Sequence, residues 1–478
     1  MVVGSIPYLD SIGIRNCRLA YWSSCHIPCC SIEIDSSLTD SIDILRSELS
    51  ELLSSNRDRL DEITRSRASQ QRVDDYTSLL RSILVESSLC YLNDELHFFD
   101  GRCYVPISSK RASSLLGNLL HDNGVGASDI RRIADMPFLV LEERRHSIDD
   151  TKVCFENCVL DVSTGELMDF GRDIYTDYSR PFAYYDTSRA SLWQRFLDEV
   201  MPDEDEQACL QEFFGMCYLD RSRMSVEKFA IFIGTGSNGK SVVFDVIKSV
   251  IGKDRVSYLS PDQLIDEKQV VSVMGKRLNF APDTRKGASF DSALKALSSG
   301  QDVAGWRLYS GTTVVKCPPL VFALNELPRF RDVTSAFFRR VMFFSFDVTI
   351  PQEKQDRSLA ARIIENESAG VFRWMMEGLW RLQQQKGMFT YCEKMESNLN
   401  ALKSRVREEE NPVLQYLSSA GWSVEPVWYG QEYTKVPASA IYNGMQGRIS
   451  KDAITRELNA LGVRNDRGSE RRYYLYRK

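Results

Sequence analysis

Gly234, Gly239, Lys240 and Ser241 stand in the spacing G-x-x-x-x-G-K-S, inside the stretch "FIGTGSNGKS" (232–241). Glycines let the backbone fold tightly, so that successive N–H groups point inward at phosphate oxygens. The expected ATP-binding loop is Gly234, Thr235, Gly236, Ser237, Asn238, Gly239, Lys240 and Ser241. Lys240 would contact the β- and γ-phosphates, and Ser241 would place its hydroxyl on Mg2+. The apolar run "KFAIFI" precedes the loop and "SVVFDVIKSVIG" follows it, the strand-then-helix setting that the motif requires. The start of that helix adds partial positive charge.

Such a loop needs an acid on a neighbouring strand to hold Mg2+. Asp283, closing "GKRLNFAPD" (275–283), is the candidate; the alternative is a turn cap after Pro282. The next residue is Thr284, so no second carboxylate is adjacent to polarise water. Either Asp283 serves both needs, or Glu326 or Asp302 comes in by folding. Asn325 ends the apolar strand in "PPLVFALNELPRF" (318–330). An amide at the carboxyl end of a strand could orient the attacking water; the alternative is a turn before Pro328. Arg339 and Arg340 precede the next strand, "RVMFFSF". An arginine there can reach a neighbouring subunit's nucleotide, and one of two adjacent arginines is expected to be only an ion pair.

"DVAGWRLY" (302–309) and "TVVKCPPL" (313–320) flank Ser310-Gly311-Thr312, which predicts a hairpin. Arg307 and Lys316 offer phosphate contacts and Tyr309 offers base stacking, so the hairpin is a candidate single-strand DNA contact. The alternative is a buried hairpin with snorkelling ends. The C-terminal "SERRYYLYRK" has the same basic and aromatic mix.

These residues need elements to hold them. From Lys228 onward short apolar strands alternate with helices: "KFAIFI", "RVSYLS", "KRLNFAP", "LVFALN" and "RVMFFSF". That is an α/β signature with a mostly parallel five-stranded sheet. "SAGVFRWMMEGLWRLQQQ" (368–385) is an apolar helix, and Asn411-Pro412 marks a junction. Upstream, residues 1–40 read as irregular, "SIDILRSELSELL" and "VDDYTSLLRSILV" as amphipathic helices, and 95–107 and 152–170 as hairpins. The expected organisation is a segment of unknown role (1–60), an α+β domain (61–190), an ATPase domain (191–400) and a winged-helix-like module (411–478).

The chain has 478 residues, with 43% hydrophobic and 26% charged, the balance of a globular multidomain protein. A net charge of -6 gives no global nucleic-acid signal, so such binding must use local patches. No apolar run approaches twenty residues and the N-terminus makes a poor signal peptide, so the expected place is the cytosol, with no membrane contact. Twelve scattered cysteines fit reduced thiols. Cys17, Cys25, His26, Cys29 and Cys30 cluster, but no second pair of zinc spacing follows.

In their order along the chain these pieces resemble superfamily 3 helicases of the AAA+ class, and within them the poxvirus and phage or plasmid primase-helicases. The resemblance covers roughly 90–478. "FENCVLDVSTGEL" resembles the family's pre-helicase stretch, "LQEFFGMCYLD" the segment leading into the phosphate loop, and "ALKALSSGQDVAGWRLYSGTTVVKCPPLVFALNELP" the family's hairpin motif running into a sensor asparagine. The resemblance implies an AAA+ core, Arg340 as the trans-acting arginine, a ring-shaped homo-oligomer (a hexamer), and 3′ to 5′ movement on single-stranded DNA. It also implies replication of a mobile element, plasmid or virus. Relatives often carry an acidic pair where this chain has Asp283, and lysine or histidine at the hairpin tip where it has "WRLYSGTT". Many carry a primase domain, for which the first 90 residues are too few; a separate primase or polymerase is the expected partner. Two other readings stay open: an origin-binding ATPase or loader without processive unwinding, and a P-loop kinase-type enzyme.

Overall fold

The computed structural model describes residues 17–20, 29–32, 36–66, 69–133, 141, 144–220, 223–282, 302–307, 311–325, 335–426, 431–445, 449–467 and 471–477. It falls into two compact units, Met1–Ser188 and Arg189–Lys478.

The first unit opens with strands β1 (Cys17–Ala20) and β2 (Cys29–Ile32), paired antiparallel with Cys17 opposite Ile32. This pairing departs from the irregular chain expected over 1–40. Helices α1 (Ser36–Ser55), α2 (Arg57–Arg65) and α3 (Ser69–Glu86) follow. Leu45, Leu49 and Leu53 recur every four residues on α1 and are buried in one core with Leu60, Ile63, Tyr76 and Leu80. The boundary expected at 60/61 therefore falls inside α2 and inside a single core. Strands β3 (Cys90–Leu92), β4 (Glu95–Phe99) and β5 (Tyr104–Pro106), helices α4 (Ser109–Asp122) and α5 (Ala127–Ile133), and strand β6 (Arg145–His146) complete a sheet of order β5-β4-β3-β6.

Residues 152–170 are not the single hairpin expected. They form a three-stranded meander, β7 (Lys152–Cys154), β8 (Val159–Asp161) and β9 (Leu167–Met168). The first turn, Phe155–Cys158, carries apolar residues at both ends and no glycine, so its signal was hidden. The second is fixed by Asp161, whose carboxylate accepts from Ser163 N at 2.8 Å and from the Lys152 ammonium.

The second unit holds α6 (Ser191–Val200), α7 (Glu204–Gly215), β10 (Phe229–Ile233), α8 (Lys240–Ile251), β11 (Val256–Ser257), β12 (Leu278–Ala281), β13 (Asp302–Arg307), β14 (Gly311–Lys316), β15 (Leu320–Leu324) and β16 (Val341–Ser345). Five of these strands make one parallel sheet in the order β11-β12-β15-β10-β16. β12, β15 and β16 are buried at every position, as expected of a parallel sheet covered on both faces.

Helix α9 (Leu359–Gln384) packs against α7 and α8. The fully buried Glu212 carboxylate on α7 is satisfied by Arg381 Nε at 2.7 Å, Thr390 N at 2.8 Å and Thr390 Oγ1 at 2.6 Å. Glu367 on α9 accepts from Leu192 N at 2.9 Å and Trp193 N at 3.0 Å. It thereby caps α6, whose own cap position is Ala190, a residue with no side-chain acceptor.

Helix α10 (Glu393–Glu410) leads to a C-terminal module: α11 (Pro412–Ser419), β17 (Trp422–Ser423), β18 (Thr434–Pro437), α12 (Ala438–Gly444), α13 (Lys451–Ala460), β19 (Asn465–Arg467) and β20 (Arg471–Arg477). Asn411 caps α11 through its side chain, with Pro412 at the first helical position. β20 is central, paired antiparallel with β18 on one side and with β19 and β17 on the other. The module has its own core, built on Leu417, Val436, Ile441, Leu458, Tyr473 and Leu475.

Candidate functional site

The loop 234–241 joins β10 to α8 at the carboxyl end of the parallel sheet. Its conformation explains its glycines. Gly239 has φ +89°, and a Cβ there would lie 2.9 Å from Val200 and 3.0 Å from the Phe196 ring. The chain of support therefore runs from Glu367 through capped α6 to the turn at Gly239. A Cβ on Gly234 would lie 2.0 Å from the Asn238 amide and 2.6 Å from the Phe346 carbonyl. Ser237 also holds a positive φ, 50°, and Gly236 one of 105°. Positive φ at Gly236, Ser237 and Gly239 makes this a tight non-helical turn of the kind whose backbone N–H groups form an anion-binding concavity.

The loop is tied to the segment that follows β16. Asn238 Nδ2 donates to Phe346 O at 3.1 Å, and Ile350 N donates to Ser237 O at 2.8 Å. Lys240 Nζ donates to Gly234 O at 2.5 Å and to Asn238 Oδ1 at 3.2 Å. Both acceptors are neutral, and burial pushes the Lys240 ammonium below the usual lysine range. A half-buried cation held by two neutral oxygens fits an arriving phosphate, which would restore its preference for charge.

A cavity of about 610 Å³ opens above the loop, within the usual range for a small-molecule site. Gly236 to Ser241 line it, and so does Asn325, carried there from the end of β15. Phe196, Phe244 and Phe280 supply apolar wall. Pro282 lines it too, but Asp283, Thr284 and Glu326 lie outside the described residues. The sequence reading missed Lys354, Arg357 and Arg362, three cations in the cavity wall. Lys354 ends a short 3-10 turn (Gln352–Lys354), Arg357 follows it, and Arg362 sits in the first turn of α9, where no motif announces them. The hydrogen bonds from Asn238 Nδ2 to Phe346 O and from Ile350 N to Ser237 O bring that segment to the loop.

Arg340 is not in this cavity. Arg340 O accepts from Phe229 N at 3.0 Å, so the whole of β10 lies between it and the loop. Its guanidinium is 2.7 Å from Glu227, and the side chain is 10% exposed. Arg339 is 3.7 Å from the same carboxylate and 66% exposed.

β13 and β14 pair antiparallel, with Arg307 opposite Gly311 and Asp302 opposite Lys316. Arg307 thus stands beside the turn, while Lys316 stands five residues down the strand, about 17 Å away. Both are exposed; Tyr309 lies outside the described residues. Lys316 shares one face with Trp306 and Val314, 38% and 60% exposed, while Arg307 alternates onto the other; Lys268 Nζ lies 5.5 Å from the Trp306 ring centroid. Trp306 went unassigned in the sequence reading, although an aromatic beside Arg307 was its signal. Trp306 N donates to Glu267 O at 2.8 Å, anchoring the hairpin.

Among the described residues no cluster could hold a metal ion, and no helix is long and apolar enough to cross a membrane. Cys25 and His26 lie outside the described residues.

Residues 122–202 match the family described as "D5 N terminal like", a stretch that contains the β7–β9 meander. Among solved structures, the A form apo structure of the NrS-1 C terminal region is similar at 10% identity, covering 83% of this chain and 98% of that one, with a TM-score of 0.45. The apo structure of NrS-1 C terminal region residues 305–718 is similar at the same identity and coverage, with a TM-score of 0.46.

Proposed function

We propose that the chain is an ATP-driven DNA helicase acting in replication of a mobile element, plasmid or virus. The observation that carries this reading is the joining of the 234–241 loop, the half-buried Lys240 and Asn325 in one cavity at the carboxyl end of a parallel sheet. The match of 122–202 to a D5 N terminal like family supports the same direction.

In this reading the loop N–H groups and Lys240 hold the phosphates of ATP. Mg2+, when bound, neutralises phosphate charge; Ser241 and Asp283 are the residues that would hold it. Asn325 orients the attacking water. Arg357 and Lys354 close the cavity over the nucleotide. The trans-acting arginine comes from the Arg339–Arg340 pair of the next subunit in a ring, expected to be a hexamer. Arg340 is the family-matched position, and Arg339 is the one with its charge exposed. Arg307, Tyr309 and Lys316 on the hairpin follow single-stranded DNA at a fork, and a separate primase or polymerase starts synthesis.

The test is ATP hydrolysis with and without single-stranded DNA, followed by unwinding of a labelled fork. Stimulated hydrolysis with unwinding supports the helicase. Stimulated hydrolysis without unwinding supports a loader, and hydrolysis indifferent to DNA contradicts both.

A further inference from the structure

The C-terminal module has a surface that the nucleotide reading does not use. β20 alternates along its length. Tyr473 and Leu475 are fully buried against the helices, so Arg472, Tyr474 and Tyr476 lie on the opposite face. Register places Lys435 beside Tyr474 and Asp466 beside Arg472. Tyr433 packs on Tyr474 with ring centroids 4.6 Å apart, and Tyr433 is 49% exposed. Lys435 Nζ lies 5.1 Å from the Tyr474 centroid and 3.1 Å from Asp466. The core of the module is complete without these rings.

The charge around them is distinctive. Residues 431–478 hold ten lysines and arginines against five aspartates and glutamates, in a chain whose net charge is -6. Tyrosine is also common in protein interfaces, but lysine is depleted at their centres. Here a lysine is centred over Tyr474. A major groove accepts a helix or a two-stranded ribbon, and the face of a multi-stranded sheet is neither.

We infer that this outer sheet face is a platform for single-stranded nucleic acid, with bases stacked on Tyr433 and Tyr474 and phosphates met by Lys435 and Arg472. The stacking is sequence-tolerant, because every base has a π-face. Its place outside the ATPase core would hold a strand independently of nucleotide state.

The experiment uses the full chain carrying Arg307→Ala, so that the hairpin contributes little, and a fluorescent oligothymidylate read by anisotropy without nucleotide. Tyr433→Ala with Tyr474→Ala should weaken binding roughly tenfold or more. Tyr433→Phe with Tyr474→Phe should bind like the Arg307→Ala parent, since the rings remain while the 3.3 Å hydrogen bond from Tyr474 to Asp466 is lost. Arg472→Ala should lower the salt slope by about 0.7. Should the alanine pair melt early, photo-crosslinking of a 5-iodouracil strand to the unmutated chain decides, with adducts expected at Tyr433 and Tyr474. Unchanged affinity in a folded alanine pair, equal loss in the phenylalanine pair, or adducts confined to other segments would each overturn the proposal. A failure here leaves the ATPase reading untouched, and the loss of ATPase activity would leave this platform standing.

Discussion

The Arg340 guanidinium lies 2.7 Å from the Glu227 carboxylate at the amino end of the parallel sheet, while Arg339 beside it is 66% exposed. The two neighbours therefore have different physical tasks. Arg340→Ala removes the buried partner of Glu227; because Glu227 is itself 38% exposed, screening limits the loss to about 1 kcal/mol. Arg339→Ala should leave the melting temperature unchanged and lower ATP turnover in the assembled ring. Turnover lost in Arg340→Ala at an unchanged melting temperature, with Arg339→Ala fully active, would assign the trans role to Arg340.

Lys240→Ala should abolish ATP hydrolysis, because the phosphate charge loses its nearest cation. Gly234→Ala should do nearly as much for a different reason. Its methyl group would meet the Asn238 amide and the Phe346 carbonyl, so the loop must open. Nucleotide titration by calorimetry checks both, and normal binding by Gly234→Ala would show that the loop geometry is not required.

Arg357→Ala tests the cavity wall. One charge-assisted contact in a partly open site is worth roughly 1 kcal/mol after screening, so nucleotide affinity should fall about fivefold. Arg362 is the poorer choice, since Asp356 already engages its guanidinium. Unaltered affinity in Arg357→Ala would place the segment after β16 outside the nucleotide's reach.

Much of this was visible in the sequence, for a physical reason. A parallel sheet buried on both faces must be written as continuous apolar runs, so "FAIFI", "LVFAL" and "VMFFS" announced themselves, and the loop announced itself through glycines that no other residue can replace. The cations at 354–362 did not, because nothing local distinguishes them from a solvated helix start. The burial of Arg340 depends on Glu227, more than a hundred residues away. In 152–170 the second turn is legible at Ser163-Thr164-Gly165, where Gly165 holds a φ of 80°, but the first turn, Phe155–Cys158, has no glycine to mark it, so the meander reads as one hairpin.

Asp161 gives a pH prediction. Burial works against its charge, but hydrogen bonds from Lys152 and Ser163 outweigh it and hold the carboxyl below the usual range. A depressed carboxylate contributes stability above its unfolded pKa of about 4 and loses it as pH falls through the lower native value. Asp161→Asn should therefore destabilise the first unit at neutral pH by about 1 kcal/mol and flatten its acid unfolding curve. An acid limb identical to the parent's would show that the pair contributes nothing.

Along the hairpin, Arg307 beside the turn should matter more than Lys316 at the far end. Arg307→Ala should weaken single-strand binding and lower the salt slope by about 0.7, with a smaller effect from Lys316→Ala. The reverse order would place the DNA path at the base of the hairpin.

The central claim is that this ATP site drives strand separation, and displacement of a labelled strand from a forked duplex tests it most directly. The purified chain with ATP and Mg2+ should release the strand, while the Lys240→Ala chain, or the parent without ATP, should not. Release that proceeds equally in Lys240→Ala, or a parent that hydrolyses ATP at a rate indifferent to DNA and releases nothing, would contradict it.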